Sequence, residues 1–428
     1  MHARNFFSFV ILSTTCCCVS SEKVVLIENG PIVGDELEDF YAFRGIPYAE
    51  APVGDFRFAA PKPYSTKWNG KKEFKNYGEV CAQYDHLGYD FKGSEDCLTL
   101  NVFLPKSVAN SVNKVPVIFF IHGGAFMFGS AKFYLPEIIM KAQNMILVTV
   151  NYRLGILGFL STEDEVIPGN FGMKDQVEAL RWVQRNIEVF NGDSDKVTIV
   201  GYSAGGASVQ LHYMSPLTDG LFNNGISHSG VAINPWVMQE NSREKAHQIA
   251  AYTNCPEDHQ QLLTCLREKP AEDLVMLAKH FQSFLYNPFS PFGVVVESPS
   301  KTAFLTDHPM DLLEKGNFKK LPWLLSQTQD EGLYPTAEFY DEEILRTIND
   351  KWNEFAPFIL DFNGTTDDAK TKLEVSKETR LKYLGKLPIT KKNFLDFNDV
   401  SKKNFSQTTI HKIFFHRLSQ IVCSSMEL

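Results

Sequence analysis

Lys196-Val197-Thr198-Ile199-Val200-Gly201-Tyr202-Ser203-Ala204-Gly205-Gly206 is the stretch whose reading decides the fold. Residues 196–200 are rich in β-branched side chains and bounded by glycine, the pattern of a buried strand. Straight after them comes G-x-S-x-G, with Ser203 at its centre. A sharp strand-to-helix turn needs small residues at Gly201 and Gly205, because a helix must fold back onto the strand while Ser203 stands exposed at the corner. The N–H of Ala204 then opens the helix and faces any oxyanion formed on Ser203. G-x-S-x-G alone is a weak signal. Preceded by a strand and followed by Gly206-Ala207-Ser208-Val209-Gln210-Leu211-His212, it reads as a nucleophile elbow rather than a glycine-rich loop.

Outward from the elbow, residues 115–121 and 146–150 are continuous apolar runs. Runs of that kind mark strands covered on both faces, hence a parallel sheet between layers of helix. The fold class is therefore α/β. After Ile121 the chain reads His122-Gly123-Gly124-Ala125-Phe126, a flexible run at the carboxyl end of a central strand, where open α/β sheets bind ligands. Such a loop can turn successive N–H groups towards an oxyanion held by Ser203; the bland alternative is a plain tight turn. Residues 169–187 open a helix whose apolar face carries Leu180, Val183 and Ile187, with Asp175 expected as a buried hydrogen-bonding group. Residues 23–34 read as a hairpin turning at Glu28-Asn29-Gly30, residues 94–103 as a strand, 242–282 as amphipathic helix, and 321–326 as one more apolar strand. Beyond that strand lie Asp330 and Glu331. In the chain order Ser…Asp/Glu…His, the acid belongs there, and by residues alone either carboxylate, or a solvated acidic turn, fits.

Composition sets the outer bounds. The 428 residues are 44% hydrophobic and 22% charged, the balance of an ordinary globular protein, and the net charge of −9 argues against nucleic acid as a partner. Arg4, an apolar run at 6–12 and small residues near Ser21 give residues 1–21 the form of a secretory signal peptide, leaving 22–428 as one domain. Nothing later is long and apolar enough to span a membrane. Of the eight cysteines, Cys16, Cys17 and Cys18 leave with that peptide, so Cys81, Cys97, Cys255, Cys265 and Cys423 remain. An odd set in an oxidising compartment suggests two bridges and one leftover, and proximity favours Cys81–Cys97 and Cys255–Cys265, each worth roughly 2–4 kcal/mol. No His/Cys cluster has the spacing of a zinc site, so no metal is expected. Asn363-Gly364-Thr365 and Asn404-Phe405-Ser406 are glycosylation sequons.

Several stretches taken together resemble the type B carboxylesterase and cholinesterase family of α/β-hydrolases. Residues 95–105 (Glu-Asp-Cys-Leu-Thr-Leu-Asn-Val-Phe-Leu-Pro) resemble one signature of that family and residues 190–205 the other. Residues 43–49, 151–155 and 330–332 resemble further landmarks. The resemblance runs from about residue 23 to about residue 340, fades after about residue 400, and is nearest to insect secreted esterases. It implies an α/β-hydrolase fold with a mostly parallel central sheet flanked by helices and an incomplete C-terminal part. It implies Ser203 as nucleophile, Glu331 rather than Asp330 as the orienting acid, and an oxyanion hole from the N–H groups of Gly124, Ala125 and Ala204. It supports the two cysteine pairings and makes Arg44 and Glu95 a structural ion pair. No cofactor is needed for that chemistry, and the substrate would be a small apolar ester.

The departures also carry information. Asn191 stands where the signature has glycine, and Tyr202 where many members have glutamate. The family's histidine lies in a Gly-x-x-His stretch downstream of the acid, and no residues after Glu331 spell it. His411 and His416 are the histidines there, on a 409–422 segment that reads as an amphipathic helix with Ile410, Phe414, Leu418 and Ile421 inward. The expectation is a secreted esterase sequence with its C-terminal portion lost, and nearly inactive for want of a base. The alternative is a non-catalytic cholinesterase-like binding protein.

Overall fold

The computed structural model describes residues 22–359 apart from 86–89, 135, 143, 284–286, 329–330 and 332–340, together with residues 373, 374 and 377. Residues 1–21, expected as a signal peptide, lie outside the described residues, as do Asp330, the sequons at Asn363 and Asn404, His411, His416 and Cys423.

In chain order the strands are β1 (Val24–Ile27), β2 (Gly30–Val33), β3 (Asp35–Glu36), β4 (Phe40–Pro47), β5 (Lys72–Glu73), β6 (Gln83–Asp85), β7 (Asp90–Lys92), β8 (Thr99–Pro105), β9 (Val115–Ile121), β10 (Ile146–Val150), β11 (Gly192–Tyr202), β12 (Asn224–His228) and β13 (Trp323–Ser326). The helices that cover them are α1 (Lys106–Ala109), α2 (Gly155–Phe159), α3 (Phe171–Asn186), α4 (Ala204–Met214), α5 (Ser242–Thr253), α6 (His259–Glu268), α7 (Ala271–Met276) and α8 (Pro309–Glu314), and two more follow at Glu342–Asp350 and Trp352–Ile359.

Eight strands make the central sheet in the order β13-β12-β11-β9-β10-β8-β4-β3. The neighbours from β13 to β10 pair in parallel, whereas β10–β8, β8–β4 and β4–β3 are antiparallel. The apolar runs explain the arrangement. Every residue of β10 is buried. On β9, Val117, Phe119 and Ile121 are buried in the large core, while Ile118 and Phe120 pack against a smaller cluster of Phe40, Ala42, Phe103, Met140 and Leu147 on the other face. Two cores, one on each side of the sheet, are what a parallel sheet requires.

The hairpin at residues 23–34 forms as expected, with Val25 opposite Ile32. Other boundaries shift. The strand expected at 94–103 begins only at Thr99, because residues 94–98 are tied into a turn by the Cys97 bridge and by bonds from Asp96 N–H to Ser94 Oγ and from Cys97 N–H to Glu95 O. Helix α3 is buried almost all round, with Arg181 and Arg185 exposed, so its apolar stripe understates its burial. The apolar strand at 321–326 shortens to Trp323–Ser326 and is exposed rather than buried, with Leu324 54% accessible. It stands last in the sheet among the described residues.

The ion pair expected between Arg44 and Glu95 is not present. Arg44, on β4, binds Asp35 on the neighbouring β3. Glu95 instead takes the forked guanidinium of Arg57, whose Nε donates to Oε1 at 2.7 Å. The same arginine also donates to the Leu266, Arg267 and Lys269 carbonyls at the end of α6. A helix C-terminus leaves carbonyls without partners, and a planar cation with five N–H donors satisfies several at once. Cys81 is bridged to Cys97 and Cys255 to Cys265.

Candidate active site

The centre of the sheet builds the site. Strand β11 ends at Tyr202, paired with His228 of β12, and α4 begins at Ala204. Between them Ser203 adopts φ 57°, ψ −120°, a conformation that costs a non-glycine residue on the order of 1–3 kcal/mol and persists only where its surroundings fix it. The fixing groups are visible. Ser203 N–H donates to His228 O at 2.8 Å, and its own carbonyl accepts the Ala207 N–H at 2.9 Å, the first turn of α4. Gly205 lies so close to the end of β9 that a Cβ there would stand 2.1 Å from the Ile121 carbonyl oxygen. Ser203 is thus held at the corner by backbone on both sides, and no hydrogen bond to its hydroxyl occurs among the described residues.

The glycine-rich loop arrives beside it. A Cβ on Gly123 would be 3.1 Å from the Ser203 Cβ, so loop and elbow adjoin. Gly124 has φ +108°, and Ala125 and Phe126 follow in the left-handed region at 54° and 60°. That sequence of dihedrals curls the backbone until the N–H groups of Met127 and Phe128 both reach the Gly124 carbonyl, at 2.8 and 3.0 Å. Among the described residues the N–H groups of Gly124, Ala125 and Ala204 have no acceptor.

Contacts that sequence reading missed hold the loop in place. Ser290 Oγ donates to the Ala125 carbonyl at 2.7 Å, Tyr152 hydroxyl donates to the His122 carbonyl at 2.9 Å, and Gln83 grips Gly129 through both its N–H and its carbonyl. The Tyr152 ring stacks on His122 with centroids 4.3 Å apart. Full burial pushes the His122 imidazole down to about 4, so it is neutral at pH 7 and supports the loop without charge. One layer further out, Asp175 accepts from the N–H, Nε and Nη2 of Arg153, a fully buried pair that joins the start of α3 to the segment after β10. Asp175 is thus the buried hydrogen-bonding group anticipated for it, and Arg153, a landmark in the sequence, is its partner. Nothing in the spacing pointed to Ser290 or Gln83, which meet the loop from distant segments.

Glu331 is placed differently. It follows the carboxyl end of β13, two strands from β11, and is exposed, with Oε1 accepting the Thr328 N–H at 2.7 Å. It shares the carboxyl edge of the sheet with Ser203 and the glycine loop, but no contact links it to Ser203 or to a histidine among the described residues. His228 hydrogen-bonds Ser326 through Nδ1, and His212 is buried against Gln176. Tyr202, beside the serine, is 43% accessible.

A mostly parallel sheet with a strained serine at a strand-to-helix corner, beside a loop with unpartnered N–H groups, can be compared with known proteins. The model of the carboxylesterase family matches residues 21–423, past the point where the motifs fade. The chain belongs to the carboxylesterase family. It is 43% identical over 356 residues to venom carboxylesterase-6 of Apis mellifera, covering 82% of this chain and 63% of that protein. It is 38% identical over 403 residues to Esterase-5B of Drosophila persimilis, covering 90% of this chain and 74% of that protein. Among solved structures, juvenile hormone esterase from Manduca sexta, determined with OTFP covalently attached, superposes with a TM-score of 0.74 at 29% identity, over 88% of this chain and 72% of that one. The carboxylesterase fold is that of the α/β-hydrolases, and the mixed sheet described above is this chain's version of it. The chain spans about two thirds to three quarters of the length of these carboxylesterase relatives. No helix among the described residues is long and apolar enough to cross a membrane.

Proposed function

We propose that this chain carries the acyl-transfer machinery of a secreted serine carboxylesterase, with Ser203 as nucleophile. The observation that carries the reading is the strained Ser203 at the start of α4, adjoining a loop whose Gly124 and Ala125 N–H groups, with that of Ala204, lack acceptors. An ester carbonyl seated there would be attacked by Ser203 Oγ as the hydroxyl proton leaves to a base. The three N–H groups would take the negative oxygen, the alcohol would depart, and water would release the acyl group by the same steps. Donors set in advance against developing charge are usually the largest single contribution to such a reaction. Glu331 is the acid proposed to orient the base, the substrate a small apolar ester, and no cofactor enters. The two disulfides suit an oxidising compartment, as do the proposed signal at 1–21 and sequons at Asn363 and Asn404.

The test is covalent labelling by a fluorophosphonate. The wild-type chain should be labelled and Ser203→Ala should not, with the thermal midpoint little changed. Labelling that survives the substitution would move the nucleophile elsewhere, and a wild-type chain that never reacts would favour the binding-protein alternative. Turnover is a separate question. On a short-chain p-nitrophenyl ester the wild-type chain is measured beside His411→Ala and His416→Ala, which test whether either histidine serves as the base. Full activity lost in one of these variants would identify the base.

A further inference from the structure

The geometry points to a second site, built on other helices than the serine's: His247 and His259, with Asp164 behind them, form a surface site for one tetrahedral divalent metal ion, zinc above all. His247 lies on α5 and His259 opens α6, the two helices whose connection is closed by the Cys255–Cys265 bridge. Their Nε2 atoms stand 3.4 Å apart. Two nitrogens each about 2.0–2.1 Å from a tetrahedral zinc stand about 3.3–3.4 Å from one another, whereas neighbouring ligands of an octahedral ion at that distance would be nearer 2.9 Å. The separation is that of the tetrahedral ion.

Asp164 decides which nitrogen is free. Its carboxylate hydrogen-bonds Nδ1 of His259, and is itself fixed by the Thr162 hydroxyl at 2.6 Å and the Val166 N–H at 2.9 Å. An ionised carboxylate only accepts, so the proton of the neutral imidazole sits on Nδ1 and the lone pair on Nε2, facing His247. A histidine that donates its other N–H to a carboxylate is the usual outer support of a zinc ligand. The rings meet nitrogen to nitrogen, with centroids 5.6 Å apart, so an ion enters beside the line joining them after a modest tilt of both. Partial exposure permits the tilt and gives solvent access: the His259 side chain is 21% accessible and that of Asp164 34%. No group of three or more candidate ligands occurs among the described residues, so water completes the coordination. The ion would add one more tie to a corner where Glu163 already accepts the Ser242 N–H at the start of α5.

The experiment titrates the purified full-length chain, stripped with a chelator and dialysed, with zinc chloride against a chromophoric competitor at pH 7.5. One zinc per chain should bind, with micromolar affinity and a higher thermal midpoint. His247→Gln and His259→Gln should each weaken binding at least tenfold, and Asp164→Asn, which leaves both ligands in place, roughly 10–100-fold. Magnesium should not compete. Circular dichroism and intact disulfides establish that each variant is folded; Ser203→Ala, tested alongside, should bind zinc like wild type. Failure of wild type to take up zinc, or equal uptake by folded wild type and both histidine variants, would overturn the assignment.

Discussion

At the scale of single residues, the site depends on atoms that are missing as much as on those present. Gly205 is the clearest case: a methyl group there would have to enter the space of the Ile121 carbonyl, which belongs to the central strand and cannot yield. Gly220 offers the contrast, at φ +72° with nothing within 4 Å of an added Cβ. Gly220→Ala should cost only the left-handed penalty of about 1–2 kcal/mol. Gly205→Ala should cost well beyond that, with loss of soluble protein or of fluorophosphonate labelling. Urea midpoints of the two variants, measured side by side, check this. Equal costs would mean that the elbow is less tightly packed than its geometry states.

At the scale of elements, the corrected ion pairs make a sharp prediction. Arg57 is buried and serves Glu95 and the end of α6, whereas Arg44 and Asp35 remain partly exposed. Removing one member of a buried pair leaves a charge without a partner and costs roughly 3–5 kcal/mol; an exposed pair contributes about 0–1 kcal/mol. Arg57→Met should therefore lower the urea midpoint strongly and Arg44→Met slightly. The reverse order would restore the pairing expected from sequence. Glu95 was legible as a landmark, but which arginine reaches it depends on how residues 54–57 fold over α6, a contact between segments some two hundred residues apart. The elbow, the glycine loop and strands β9 and β10 were legible because their signals are local: β-branched runs, and small residues where backbone must approach backbone. The exposure of β13 was not, since an apolar strand reads alike at the centre or the edge of a sheet. Nor was the His247–His259 pair, whose members lie on two helices and meet only through tertiary packing.

At the scale of the whole molecule, buried neutral histidines give the fold an acid limit. Burial pushes His122 down to about 4 and His212 to about 3, the latter helped by Lys319. Both rings are uncharged in the folded state, while in the unfolded chain they titrate near 6.5. Below that value the unfolded state binds more protons, so stability falls with pH and goes on falling until the folded pKa values are reached. Between pH 7 and pH 5 each ring should remove about 2 kcal/mol. Urea midpoints at the two pH values test this, and His212→Gln should lose about half of the dependence; a midpoint unchanged down to pH 5 would show that neither ring is buried as described. The order of strands in the sheet has a consequence of another kind, for the moment of birth. Strands β9 to β12 are neighbours in space and follow one another along the chain, so the glycine loop and Ser203 can take shape once about 230 residues have emerged from the ribosome. The carboxylate proposed to complete the site arrives just after β13, about a hundred residues later, some 5–20 s at ordinary rates of synthesis. A nascent esterase built to this plan would hold its serine in readiness while still unable to use it.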